Sequence, residues 1–245
     1  MRPSVVLLFS VMGVALASMV VYGGLGRRRD ADATRKGSRF MLGLGDFLVH
    51  WFLWAISPVE RFFLAAGATP DVFNFAGLAF GLASGVLLGL GRLELGGWAI
   101  ALGGVCDILD GRIARARNLT SRYGKFIDST LDRFVEVFAF LGLVVFLRRT
   151  AIGSFVAAAA MAGSLLVSYA QARGETVDIA GSGGLMQRAE RLVLLCLVCL
   201  LDPTLSAGLG WREGIAVTWV LGFMAVTTFG TAVYRTVWIA WRLRE

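Results

Sequence analysis

From residue 69 onward the chain alternates apolar runs with short connections that carry arginine, and each run is close to the ~20 residues a helix needs to cross a bilayer. The runs cover residues 71–90, a stretch from Gly97 that reaches Asp107 near its far end, then 124–147, 151–172, 191–207 and 214–240. Thr69-Pro70 reads as a cap followed by a first-turn proline, so the first of these should be a helix starting there. The segment Gly91–Gly96 reads as a turn, and Gly77, Gly81 and Gly85, recurring every fourth residue, read as a close-packing stripe. With 57% hydrophobic and 17% charged residues, the composition excludes an ordinary soluble domain. The net charge of +7 does not indicate nucleic acid, because no nucleic-acid motif is present and the arginines sit between apolar runs. Only five of the 24 basic residues fall on one side of the resulting topology, which makes the other side cytoplasmic.

Upstream of this core, residues 4–25 are continuously apolar and lead into Arg27-Arg28-Arg29. The charged flank is C-terminal and no convincing small-x-small cleavage site precedes it, so the segment reads as an anchor with its N-terminus outward. Residues 27–39 read as a basic cytoplasmic linker. Between Phe40 and Gly67, aromatics alternate with Asp46, His50, Glu60 and Arg61 around Pro58, a pattern that suits one or two helices in the headgroup plane better than a span. His50 there reads as a surface or headgroup contact. The organisation expected is thus an anchor over 1–26, a linker with interfacial helices over 27–68, and a six-helix domain over 69–245. Cys106, Cys196 and Cys199 lie in apolar runs without a metal-like partner set, which argues against disulfides and a thiol or zinc site.

Within the core, Asp107 and Asp110 are three residues apart, and Asp128 and Asp132 four apart. On helices each pair shares a face, separated by about 4.5 to 6 Å along the axis. Four such charges would repel one another and lose hydration, and divalent cations are the natural compensation. Oxygen-only ligands favour Mg2+, Mn2+ or Ca2+ over zinc. Gly111 and Ala114 lack bulk, so a flat base or a phosphate can come close to the backbone, and Arg115 offers a charge-assisted contact to a phosphate oxygen. Two metal ions can bridge a pyrophosphate, and one carboxylate set apart from them can act as general base. The same acids would also serve a cation or proton transporter, although a pathway should spread them through the membrane depth.

Written out, the stretch is D-x2-D-G-x2-A-R-x8-G-x3-D-x3-D from Asp107 to Asp132, and it resembles, without a mismatch, the signature of the CDP-alcohol phosphatidyltransferase family. The resemblance implies an all-α integral membrane enzyme of six transmembrane helices, here with an extra N-terminal helix and interfacial helices. Such enzymes displace CMP from a CDP-linked lipid with an alcohol acceptor and divalent metal, Mg2+ or Mn2+, and are usually homodimers. It assigns Asp107, Asp110 and Asp128 to metal, Asp132 to the general base, and Gly111, Ala114, Arg115 and Gly124 to nucleotide and phosphate. Family members often carry Pro-Asn-x-x-Thr before the first core helix; this chain has Pro70, Asp71 and Asn74, and Asn74 is the residue that could face the nucleotide.

A second pattern follows in the loop expected over residues 173–191, where Arg173, Arg188 and Arg191 converge on the side of the acids and could clamp a phosphorylated acceptor. Ser168-Tyr169-x-x-Ala172-Arg173-x-Glu175, then Gly183-Gly184 and Arg188-x-Glu190-Arg191, resembles the phosphatidylinositol phosphate and archaetidylinositol phosphate synthase branch. Bacterial inositol phosphate enzymes usually have a lysine where this chain has Gln171. The function expected is transfer of a phosphatidyl group from CDP-diacylglycerol to inositol 1-phosphate in the cytoplasmic membrane, with glycerol 3-phosphate, serine or free inositol as alternative acceptors. Glu136, one turn beyond Asp132, could orient neighbouring basic side chains or pack against Arg133.

Overall fold

The computed structural model describes residues 3–24, 44–179, 184 and 186–244. These form eight helices and, among the described residues, no strand: α1 (Pro3–Gly24), α2 (Leu44–Ala65), α3 (Pro70–Gly89), α4 (Leu93–Ala116), α5 (Arg122–Phe146), α6 (Ala151–Glu175), α7 (Arg188–Leu209) and α8 (Ile215–Arg242). The basic linker expected over 27–39 lies outside the described residues, as does Gly183 of the loop motif. Among the described residues, five helices are long and apolar enough to cross a membrane, namely α2 from Phe47, α3, α6, α7 and α8. The protein is integral to a membrane. The helices bearing the signature acids, α4 and α5, fall below that test of composition.

Two compact units emerge, one of Met1–Pro70 with Arg112–Asn118, the other of Asp71–Gly111 with Leu119–Glu245. In the first, α1 and α2 pair around Tyr22, which is 3% exposed and lies 5.7 Å from the Phe47 ring and 5.5 Å from the Trp54 ring. Trp51 Nε1 donates to Ser18 Oγ at 3.0 Å, giving the indole a polar partner where water is scarce. The aromatics from Phe47 to Phe63 lie on one helix with Pro58 inside it, and its length would serve a crossing as well as an in-plane placement, while Phe40 lies outside the described residues. His50 is buried, like Leu53 one turn on, and is therefore not a surface contact.

In the second unit, helices associate without a hydrophobic driving force from lipid, so close backbone approach carries the packing. The glycine stripe of α3 serves two neighbours. Gly77 faces Cys106 and Gly103 of α4, whereas a Cβ at Gly81 would stand 2.7 Å from Val135, and one at Gly85 2.5 Å from the Phe138 carbonyl oxygen, both on α5. Gly142 of α5 completes this crossing, since its own Cβ would meet Gly85 Cα at 2.9 Å. Further along, α6 packs on α5 and α8, and α8 on α7. Leu88, Phe140, Leu143, Leu195, Leu221 and Met224 form the enclosed core.

Helix ends follow local chemistry. Ser121 accepts from Gly124 N at 2.9 Å and Thr150 from Gly153 N at 3.2 Å, each satisfying an amide that the helix leaves without a partner. Gly91 turns the chain at φ 78°. Contrary to the expected turn over Gly91–Gly96, α4 begins at Leu93 and includes Gly96 and Gly97. These two are packing sites, against Leu88 and Leu200, whose side chains a Cβ would strike at 2.5 and 2.9 Å. The loop expected over 173–191 is also shorter, because α6 extends to Glu175 and α7 starts at Arg188.

Replacing Gly85 with Leu should push α3 off α5 and cost ~1–3 kcal/mol, the usual range for overpacking. Thermal unfolding in detergent would register this as a lowered Tm. Gly89→Ala, whose Cβ would meet Val145 at an ordinary 3.6 Å, should leave the Tm nearly unchanged.

Candidate active site

The period of 3.6 residues per turn places Asp107 and Asp110 on one face of α4, and Asp128 and Asp132 on one face of α5. Carboxylate oxygens of Asp107, Asp110 and Asp128 all lie within 4.8 Å of one another. Two oxygens bound to one ion at ~2.1–2.4 Å each cannot be farther apart than about 4.8 Å, so this all-oxygen donor set fits a hard divalent cation. Asp110 is the most enclosed of the three at 6% exposure.

Asp132 stands apart, held by a cation. Both of its oxygens engage the Arg188 guanidinium, which also reaches Asp107 Oδ1 at 3.2 Å. Arg188 belongs to the first turn of α7 and so bridges the two acidic helices from a third. Asn74 of α3, Gly103, Asp107 and Asp110 of α4, Asp132 of α5 and Arg188 share one hollow.

One turn deeper lies a second ion pair. Arg191 Nε donates to Glu136 Oε1 at 2.8 Å, and Nη2 to Oε2 at 3.4 Å, with Ser164 Oγ of α6 donating to Oε1 at 2.7 Å. Arg191 also donates to the Met186 carbonyl, and both charged residues are 2% exposed. Arg191 is thus occupied inside the protein and does not open onto the hollow. Glu136 pairs with Arg191 and not with Arg133, which bonds the Ser129 carbonyl and stands 4.0 Å from Asp132. Arg173 is exposed on the last turn of α6 and is not among the residues lining the hollow. Ala114 and Arg115 occupy the last turn of α4, Gly111 the turn before, and Gly124 the first turn of α5.

Arg235 of α8 was missed by the sequence reading. It is buried and donates through Nη1 to Gln171 Oε1 at 3.0 Å and to the Val167 carbonyl at 3.1 Å. A Cβ on Gly184 would come within 3.5 Å of its Nε, so the guanidinium sits against the end of the α6–α7 loop. The available signal was an arginine inside an apolar run, which is costly in lipid unless it has work to do.

Residues 67–230 match the family model described as CDP-alcohol phosphatidyltransferase. The chain belongs to that family. It is a transferase of the CDP-alcohol phosphatidyltransferase type. Among similar proteins is the phosphatidylinositol phosphate synthase of Mycobacteroides abscessus, 35% identical over 181 residues that cover 70% of this chain and 79% of that one. The enzyme of the same name from Mycolicibacterium smegmatis is 33% identical over 178 residues, 70% of this chain and 78% of the relative. The phosphatidylinositol phosphate synthase of Mycobacterium tuberculosis, solved with CDP-DAG bound, superposes with a TM-score of 0.65 at 28% identity, covering 74% of this chain and 92% of the other. A second structure of that enzyme, in complex with manganese and citrate, gives the same score and identity.

Truncating Glu136 to Ala would leave the Arg191 charge buried without its carboxylate, a loss of ~3–5 kcal/mol. Thermal unfolding should show a large fall in Tm for E136A, mostly recovered in E136A/R191M, where neither charge remains.

Proposed function

We propose that this transferase moves the phosphatidyl group of CDP-diacylglycerol to a polar alcohol, inositol 1-phosphate in particular, and releases CMP. The observation that carries the reading is the meeting of Asp107, Asp110 and Asp128 at metal-ligand spacing beside a separately held Asp132. The names of the relatives support the acceptor, and the M. tuberculosis structures with CDP-DAG and with manganese support the donor and the metal.

Asp107, Asp110 and Asp128 would hold divalent cation, two ions of Mg2+ or Mn2+, which when bound supplies positive charge against the diphosphate. Gly111 and Ala114 let the nucleotide approach the α4 backbone, Gly124 does the same at the start of α5, and Arg115 contacts a phosphate oxygen. Asn74, within the hollow, faces the nucleotide from α3. Asp132 takes the proton from the acceptor hydroxyl. The hydroxyl oxygen then forms a bond to the phosphorus that bears diacylglycerol, while the bond from that phosphorus to the bridging oxygen breaks and CMP leaves with the electron pair.

Arg188 is the cation that a phosphorylated acceptor meets at the hollow, and the sequence pattern assigns Arg173 to the same acceptor. Arg191 contributes at one remove, through the Glu136 pair that fixes α7 against α5. The cytoplasmic side of the inner membrane is the expected location of the site, since most basic residues fall on that side of the topology. A homodimer is the expected assembly.

Purified protein given labelled CDP-diacylglycerol should release CMP with inositol 1-phosphate and Mg2+ or Mn2+, and EDTA should abolish release. Faster turnover with glycerol 3-phosphate, serine or free inositol would overturn the acceptor while keeping the chemistry. Asp132→Asn should lower kcat by at least ~100-fold, the lower range for losing a general base, with CDP-lipid binding retained. Robust turnover in D132N would remove Asp132 from that role.

A further inference from the structure

Helix α2 lies outside the segment that matches the family model, yet it grips the far end of the signature helix. Arg112 Nε donates to Glu60 Oε2 at 2.6 Å, and the two side chains are only 12% and 13% exposed. Five residues on, Arg117 donates through Nη2 to the Leu64 carbonyl at 2.9 Å and through Nη1 to the Gly67 carbonyl at 3.0 Å. The Leu64 carbonyl already accepts from the Gly67 amide at 3.3 Å, and the guanidinium adds positive charge at the negative pole of the α2 dipole.

The two contact points bracket Ala114 and Arg115. At 3.6 residues per turn, Arg112 projects about 140 to 160° away from Asp107, Asp110 and Ala114. The Arg112–Glu60 contact is therefore on the side of α4 turned away from Ala114. That end of the helix has reason to be held from outside. Gly111 interrupts it with a residue that disfavours helix, and the chain leaves it through Asn118 in the left-handed region at φ 56°.

We propose that Glu60, together with Arg117, is a positioning device for CDP-lipid binding: α2 sets the placement of the last turn of α4 and so of Ala114 and Arg115. This rests on the assignment of those residues to the nucleotide and its phosphates. Glu60 touches no substrate. Its effect is transmitted along the last turn of α4, from Arg112 and Arg117 to Ala114 and Arg115 between them.

The test uses the full chain in detergent or nanodiscs, with Glu60→Gln, Arg117→Met and the charge reversal E60R/R112E. Three quantities are read: KM for CDP-diacylglycerol, kcat at saturation, and amide hydrogen exchange across residues 112–118. E60Q and R117M should each raise KM about tenfold, the effect of losing one charge-assisted contact. Their kcat should stay within about twofold, exchange at 112–118 should accelerate, and exchange in α6 to α8 should not change. The charge reversal should recover most of the KM. Unchanged KM with unchanged exchange at 112–118 overturns the proposal. So does a fall in kcat and Tm without faster exchange there, which would make the contacts merely structural, or a raised KM that the reversal fails to rescue. Absence of CMP release by the unaltered protein would count against the functional reading, and the exchange comparison would still decide whether α2 holds the end of α4.

Discussion

Carboxylates gathered at the mouth of a membrane bundle repel one another and shed hydration, and much of the second unit is arranged so that this can be tolerated. Asp132 and Glu136 are one turn apart on α5, and Arg188 and Arg191 one turn apart on α7. They meet as two rungs between the same helices. The deeper rung is sealed and carries an extra hydroxyl from Ser164, so its role is to fix register. The upper rung is open to the hollow and shares its arginine with Asp107. A rigid pair below and a shared cation above let one helix turn change from scaffold to chemistry. The glycine contacts between α3 and α5 do the complementary job, bringing the two backbones close enough for Asn74 and Asp132 to border the same space.

How far the sequence could be read depended on distance along the chain. The acid pairs were legible because helix geometry alone places residues three and four apart on one face, and the start of α3 was legible because a proline after Thr69 has few other uses. Pairings between remote segments were not. Glu136 and Arg191 are 55 residues apart, and their bond depends on how α5 and α7 pack, which no local pattern encodes. Glycine was misread in one place for a related reason. Gly96 carries the same letter as a turn residue, and only its neighbour Leu88 reveals that it marks contact.

The arginines expected to meet the acceptor show the same limit. Sequence grouped Arg173, Arg188 and Arg191 because all three flank one loop. The structure separates them into an exposed residue, one lining the hollow and one buried. It also brings in Arg235 from the last helix, through Gln171. The glutamine offers that guanidinium an amide oxygen and turns its own amide nitrogen toward Glu175, 3.4 Å away.

Asp202 carries a consequence for how the protein is made. It lies well inside α7 with no exposure, and its carboxylate accepts from the Gly214 amide at 2.7 and 3.2 Å and from the Val217 amide at 3.4 Å, both at the start of α8. An isolated α7 entering lipid would carry that acid without those amides, at a cost of ~2.5–3.5 kcal/mol near the centre of a helix. Biogenesis is thereby biased toward inserting α7 and α8 as a hairpin, with translation of the last helix completing the partner set that makes the preceding one acceptable to the bilayer.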